Sequence, residues 1–166
     1  MRVTQQCNQV KAPDHDKEPS VDAVVEVDGL DRQFGRFTAL DAISLKVPRG
    51  QVFGLVGENG AGKTTLIQHI LGLLRPQRGR VLVFGLDPAA HPARVLGRTG
   101  VVAEDRDLPG WMRLGELLNY TSLFYPSWDR AYAEELRRSF GLDTASFVGS
   151  FSQGQLAKAS LLVALA

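Results

Sequence analysis

The sequence has almost no cysteine: Cys7 is the single one among 166 residues. One thiol cannot form an internal disulfide, so a small secreted fold held together by disulfides is excluded and a reducing compartment is indicated. No pattern around Cys7 resembles an activated nucleophile, and we interpret it as an inert thiol in a polar segment.

An excess of charge of either sign is also missing. Lys and Arg number 19 and Asp and Glu number 18, which gives a net charge of +1. A protein that binds nucleic acid through its phosphates usually carries a basic surface, so no nucleic-acid partner is expected.

Long apolar runs are absent as well. No stretch approaches the roughly 20 apolar residues that cross a bilayer, and the N-terminus lacks the basic and apolar regions of a signal peptide. We therefore expect a cytoplasmic protein that reaches a membrane only where a partner holds it there.

What the sequence does contain suits one globular domain, or most of one, since 44% of the residues are apolar and 22% are charged. Residues 1–20 are polar, contain two prolines and are predicted to be a disordered tail. Apolar alternation and turn residues then predict strands at VVEVD, AISLKV, QVFGLV, RVLVFG and TGVVAE, with FGRFTALD as a loop or turn. Of these, QVFGLV is typical of a buried parallel strand.

Apolar spacing and cap residues predict the helices. They are expected from Lys63 to Leu74, from Pro88 to Leu96, from Leu114 to Tyr125, from Arg130 to Phe140, and from Ser152 onward. Ser127 or Asp129 can cap the fourth of these helices, and Gly141 can end it.

The segment GENGAGKT, Gly57 to Thr64, matches G-x-x-x-x-G-K-[ST] between an apolar run and a predicted helix. A loop that wraps a polyphosphate with backbone N–H groups needs residues without side chains where the ligand comes close. Lys63 is expected to contact the β- and γ-phosphates, Thr64 to coordinate Mg²⁺, and Thr65 to support the α-phosphate side. The alternative is a glycine-rich turn without a ligand. The motif indicates nucleotide binding and leaves kinases, GTPases and transport ATPases open.

A second polar cluster opens the last predicted helix, in FSQGQLAKASLLVALA, Phe151 to Ala166. Ser152 is a good N-cap, and Gly154 allows a ligand to approach the backbone near the helix N-terminus. Simple capping is the alternative interpretation of this cluster.

Together, LVGENGAGKTTLIQHILGLLRPQRGRVLVFG and FSQGQ resemble the nucleotide-binding subunit of ABC transporters, over residues 24–166. FSQGQ is a looser form of that family's LSGGQ signature, with Phe151 in place of Leu and Gln153 in place of Gly. The resemblance implies an α/β fold, namely a P-loop NTPase core with an antiparallel β-subdomain and an α-helical subdomain. We expect a partial ATP-binding domain over residues 21–166, with the helical subdomain at about 105–155.

The resemblance also implies the cofactors, ATP and Mg²⁺, and the partners, which are a second ATP-binding subunit and a transmembrane permease. In this family two subunits enclose two ATP molecules, and the signature of one faces the phosphate loop of the other. Ser152, Gly154 and Gln155 would then act in trans. The implied nucleotide contacts in this chain are Phe34, Gly57, Glu58, Asn59, Gly60, Ala61, Gly62, Lys63, Thr64 and Thr65.

Phe34 corresponds to the aromatic residue on which the family stacks adenine, and Phe37 is the second choice. A ring stacked on a base contributes on the order of 1–3 kcal/mol. The alternative role of Phe34 is ordinary packing.

One departure from the family pattern lies at the end of GVVAED, where Glu104 stands in place of a glutamine that contacts metal or water. A carboxylate can also bind Mg²⁺, so Glu104 is predicted as a metal ligand and, with Lys63, as a catalytic residue. Asp105 is the second choice for this role.

A second departure is that the family's apolar strand ending in Asp-Glu and its later switch histidine do not occur in the 166 residues. His15, His69 and His91 all precede the signature, and we interpret them as solvated surface residues. The expectation is a fragment without the C-terminal core strands, which hydrolyses ATP poorly alone and exposes QVFGLV as an apolar edge.

The predicted helical subdomain contains Trp111, Phe124, Tyr125 and Trp128. These aromatics are expected to form its own small core or, by the resemblance, a groove for the permease. The leading functional interpretation is an ATP-binding transporter subunit that couples ATP binding and hydrolysis to transport. The alternatives are a soluble ABC-type ATPase, a non-catalytic nucleotide-binding fragment and a small-molecule kinase, although FSQGQ argues against the kinase.

Overall fold

The structure is a computed structural model that describes residues 23–103 and 108–166. The chain divides into two compact units, with the boundary between Val95 and Leu96. The predicted tail, with Cys7 and His15, and the candidate residues Glu104 and Asp105 lie outside the described residues. The predicted limits of the helical subdomain stay a prediction.

The first unit is built on a three-stranded antiparallel sheet. Its strands are β1 (Ala23–Phe34), β2 (Phe37–Pro48) and β3 (Arg78–Val83), in the order β2-β1-β3. The segment Gly57 to Thr64, which we call the phosphate loop, leads into helix α1 (Lys63–Ile70). The short helix α2 (Pro92–Leu96) follows β3 and crosses the boundary by one residue.

The core of this unit lies where β1, β3 and α1 bring their apolar residues together. Val27 pairs with Leu45 of β2 on one side and with Val81 of β3 on the other. A shift of register between Val27 and Leu30 lets both residues be buried, although strict alternation would place them on opposite faces. The buried core consists of Val27, Leu30, Leu40, Leu66, Val81, Val83 and Val95.

The second unit is helical. It contains α3 (Leu114–Ser122), α4 (Arg130–Phe140), a 3-10 turn (Val148–Ser150) and α5 (Gln153–Leu165). Leu114, Ala133, Leu142, Ala159 and Leu162 form its buried core. The carboxylate of Asp129 accepts the N–H of Tyr132 at 2.9 Å, and Gly141 ends α4 with a φ of 66°. Both predicted boundaries of α4 are confirmed.

The region FGRFTALD, predicted as a loop or turn, is mostly strand. Only Gly35 and Arg36 form the turn, because Gln33 pairs with Thr38 and Phe34 pairs with Phe37. Aromatic and β-branched residues favour such pairing, and the two-residue turn continues directly into β2.

Two predicted strands are absent from the described residues. Residues 51–56 and 99–103 have no strand pairing, and Val56 is 79% exposed. A strand needs a hydrogen-bonding neighbour, and none of the described strands supplies one for QVFGLV or for TGVVAE. The prediction of a buried strand at QVFGLV is therefore wrong, whereas its exposure as an apolar segment was expected.

Several helices are shorter than predicted. Helix α1 stops at Ile70 rather than Leu74, because Gly72 has a φ of 73° and packs against the backbone of Pro88. Helix α2 begins at Pro92 rather than Pro88, and α3 ends at Ser122 rather than Tyr125.

Candidate nucleotide-binding site

The phosphate loop runs into the N-terminus of α1. Gly60 and Gly62 have φ values of 82° and 80°, a left-handed conformation that residues with a β-carbon rarely adopt. Gly62 has no side chain to cap the helix, and the first turn contains no acidic residue. The backbone N–H groups and the positive end of α1 are therefore not neutralised by an N-cap side chain or a first-turn carboxylate.

Gly62 is also required by packing. A β-carbon at this position would collide with the carbonyl oxygen of Ala39 and lie 2.9 Å from Cδ2 of Leu40. The loop thus lies directly on the backbone of β2, and its position relative to the sheet is set by this contact.

The ammonium of Lys63 is held by the loop itself. Its Nζ donates to the carbonyl oxygens of Gly57 at 2.6 Å and of Glu58 at 2.7 Å. Thr64 is exposed, and Thr65 is half-buried beside it. The arrangement brings a cation, a hydroxyl group and a helix N-terminus to one place, which is the donor set that a polyphosphate and its metal ion require.

Phe34 is the last residue of β1, and its side chain is 45% exposed. The guanidinium of Arg32 lies over the Phe34 ring, with its carbon 4.6 Å from the ring centroid. The side chain of Gln77 bonds to both backbone groups of Gln33. Phe37, the second choice for base stacking, is more exposed, at 57%.

The sequence reasoning missed Arg32 and Gln77. A signal for Arg32 was present, since a cation two residues before an aromatic lies on the same face of a strand. Gln77 is 44 residues from Gln33, and no local pattern indicates such a contact.

His69, predicted to be a solvated residue, is buried with 1% of its surface exposed. It lies one turn after Leu66, on the face of α1 that packs into the core. Its Nδ1 lies 3.0 Å from the carbonyl oxygen of Leu74, while Nε2 has no hydrogen-bond partner among the described residues. Burial lowers the pKa of His69; the hydrogen bond with Leu74 opposes this effect, and the charge of Arg32 adds to it.

The signature segment lies in the second unit, where the predicted N-cap at Ser152 is confirmed. The Ser152 hydroxyl accepts the N–H of Gln155 at 3.3 Å, and the Gln155 side chain accepts the N–H of Ser152 at 2.9 Å. All three predicted trans residues are exposed. A β-carbon at Gly154 would come no closer than 4.0 Å to Ser152 Oγ, so packing among the described residues does not require glycine there.

The aromatic residues of this unit divide between the core and the surface. Trp128 packs against the core, as the interpretation of a small internal core predicts. Trp111 is 75% exposed, and Phe124 is exposed with its ring 5.0 Å from that of Tyr120.

Two concave surfaces have no residue of Gly57 to Thr64 in their lining. A cavity of about 270 Å³ is lined by residues at the end of the β1–β2 hairpin and the start of β3, including Gln33 and Gln77. A second, of about 360 Å³, lies among the helices of the second unit and includes Trp128 and Glu134. We place the candidate site on the loop because that is where the cation and the glycines converge.

Within the described ranges, no group of three or more His, Cys, Asp and Glu side chains is arranged to hold a metal ion. None of the helices in these ranges is long and apolar enough to span a bilayer.

Comparison with known proteins decides the family. A sequence model of the ABC transporter family matches residues 40–166, a range that contains both the phosphate loop and the signature segment. The chain belongs to the ABC transporter family. As an ABC protein, it is expected to bind ATP.

Two curated relatives illustrate the similarity. The daunorubicin resistance ATP-binding protein DrrA3 of Streptomyces coeruleorubidus is 37% identical over 150 residues, which cover 87% of this chain and 47% of the relative. The probable multidrug ABC transporter ATP-binding protein YbhF of Escherichia coli (strain K12) is 36% identical over 124 residues, which cover 73% and 22%. The chain thus spans about half of the first relative and about a fifth of the second.

The fold of the chain is also similar to that of a solved structure. The ATP-binding subunit of an ABC transporter superposes with a TM-score of 0.77 and 31% sequence identity, over 85% of this chain and 61% of that one. The predicted fold class, an ABC-type P-loop core, is confirmed.

Proposed function

We propose that this chain is part of an ATP-binding subunit that couples ATP binding and hydrolysis to transport through a membrane permease. The observation that carries the proposal is the glycine loop that closes around the Lys63 ammonium at the N-terminus of α1. Because Nζ already points into the loop, the same group would donate to the β- and γ-phosphate oxygens. The family match and the names of the relatives support this function.

The residues present fit Mg²⁺·ATP. Thr64 is exposed at the second residue of α1, where its hydroxyl would serve as a metal ligand, and Glu104 is the second proposed ligand. The metal ion supplies charge neutralisation at the transferred phosphate. Glycine backbone N–H groups and the helix N-terminus would bind the phosphates, with Thr65 supporting the α-phosphate side.

The signature segment would bind a second subunit's nucleotide. Ser152, Gly154 and Gln155 are exposed at the N-terminus of α5, and nothing in the described packing requires glycine at position 154. We therefore propose a dimer in which these residues contact ATP held by the partner. A permease would hold the dimer at the cytoplasmic face of the membrane.

Binding of Mg²⁺·ATP and of Mg²⁺·tripolyphosphate, measured by isothermal titration calorimetry on the 166-residue chain, tests the proposal. The unmodified chain should bind both ligands, and Lys63→Ala should weaken both, since the charge–phosphate contact is common to them. Arg49→Ala is the matched control, because it removes an exposed cation from the turn after β2. Equal affinity of Lys63→Ala and the unmodified chain would refute the proposed site.

A further inference from the structure

The end of β1 is tied to the chain that follows α1. The Gln77 side chain accepts the N–H of Gln33 through Oε1 at 2.7 Å and donates through Nε2 to the Gln33 carbonyl at 3.2 Å. The backbone pairing of β1 with β3 reaches Asp31 and Arg78. Gln77 therefore extends this pairing by one step with a side-chain amide and fixes the backbone immediately before Phe34.

Arg32 provides a second tie between the same two segments. Its Nη1 donates to the carbonyl oxygen of Arg75 at 3.4 Å, and its guanidinium lies over the Phe34 ring. The Nε atom is buried and has no hydrogen-bond partner among the described residues. The side chain is thus held against the ring even though one of its donors gains no hydrogen bond, which indicates that the ring and the Arg75 carbonyl define its position.

We infer that Arg32 and Gln77 are positioning residues that hold Phe34 as a one-sided platform for the nucleotide base. This inference rests on the proposed function, in which Phe34 stacks on adenine. Arg32 covers one face of the ring, and Phe34 is still 45% exposed, so a base would stack on the face that Arg32 does not cover. Gln77 prevents the strand end from moving, so the ring keeps its place when a base arrives.

The platform and the phosphate loop are connected through α1. Lys63 begins this helix, and Arg75 and Gln77 follow its C-terminal end. Contacts at the two ends of one short helix therefore fix both the group that would bind phosphate and the ring that would bind the base. All of these residues belong to the first unit.

The inference predicts an effect on base binding and none on phosphate binding. Mg²⁺·ATP contains both parts, whereas Mg²⁺·tripolyphosphate lacks the base, so the ratio of the two affinities isolates the platform. Arg32→Met, which keeps the stem and removes the charge, should weaken ATP binding about threefold and leave tripolyphosphate binding unchanged. Gln77→Ala should act in the same direction, and Arg32→Lys should recover most of the loss.

Two controls distinguish an effect on the position of Phe34 from a general loss of structure. Arg36→Ala removes an exposed cation from the turn next to Phe34 and should leave both affinities unchanged. In a Phe34→Ala background, Arg32→Met should have no further effect on ATP binding, because the ring through which it acts is gone.

The outcomes distinguish this inference from the proposed function. The positioning role is overturned if Arg32→Met leaves the affinity for ATP unchanged or lowers the affinities for ATP and tripolyphosphate equally. It is also overturned if the effects of Arg32→Met and Phe34→Ala on ATP binding are additive. If the unmodified chain binds neither ligand, the proposed function itself fails and the inference falls with it.

Discussion

The α-carbon of Gly62 lies so close to the carbonyl oxygen of Ala39 that no side chain fits between the phosphate loop and β2. Gly62→Ala should therefore destabilise the first unit by about 2–5 kcal/mol, from the left-handed backbone and the collision together. Urea unfolding measures this loss, and tripolyphosphate binding should fall with it.

Gly85→Ala is the matched control, because Gly85 has a similar φ of 74° but open space around its α-carbon. Gly85→Ala should lower the free energy of unfolding by only about 1–2 kcal/mol, the cost of placing a β-carbon on a left-handed backbone. Equal losses for the two variants would show that the contact with Ala39 contributes nothing.

Ser152 has a capping role within the chain and a proposed role toward a partner, and two variants separate them. Ser152→Ala should destabilise the second unit by about 1 kcal/mol through loss of the cap. Ser152→Asp keeps an N-cap acceptor but places a negative charge where a partner's phosphate would lie. It should retain stability in urea yet lose ATP-dependent dimerisation in analytical ultracentrifugation. If Ser152→Asp dimerises at the same ATP concentration as the unmodified chain, Ser152 has only its capping role.

His69 should make the first unit sensitive to mild acid. Its pKa lies below the ordinary value of 6.5 in the folded chain, so the unfolded chain binds more protons between those two pKa values. Stability should be full above pH 6.5 and fall as the pH decreases toward the folded pKa, with a slope of at most about 1.4 kcal/mol per pH unit.

Urea unfolding between pH 7.5 and 5.5 measures this dependence. His69→Asn keeps a donor for the Leu74 carbonyl and cannot titrate, so it should be less sensitive to pH than the unmodified chain. An identical pH dependence in both proteins would assign the effect to other groups.

Glu134 should stay ionised at pH values at which an ordinary glutamate is already protonated. Hydrogen bonds from Arg137 and then Arg138 lower its pKa from 4.5 to about 2. Its contribution to stability is therefore present above about pH 4.5 and is lost as the pH falls toward 2. A carboxyl-carbon NMR titration should show Glu134 still charged at about pH 3, and Arg137→Gln should raise its pKa more than Arg138→Gln. Glu135→Gln, on the same helix, should leave the Glu134 titration unchanged.

The parts of the fold that the sequence predicted correctly depend on local signals. Asp129 and Gly141 mark the ends of α4, and Ser152 marks the start of α5, because caps are made by residues within three or four positions of each other. The glycine pattern of the phosphate loop is local in the same way, and the predicted contacts of its residues with nucleotide remain predictions.

The parts that the sequence did not predict depend on distant partners. Residues 51–56 have the composition of a buried strand, but burial requires a neighbouring strand, and composition carries no information about one. Arg32 and Gln77 contact residues more than 40 positions away. His69 is a polar residue on an apolar helix face, and only the packed structure shows that the face is completely covered.

The two carbonyl oxygens that accept from Lys63 belong to the phosphate loop itself, and this affects the entropy of phosphate binding. A lysine side chain loses up to about 2 kcal/mol of rotamer entropy when it becomes fixed. Here that loss occurs as the chain folds, since Gly57 and Glu58 already fix the ammonium. A phosphate would therefore meet a preorganised cation and replace one set of oxygen acceptors with another.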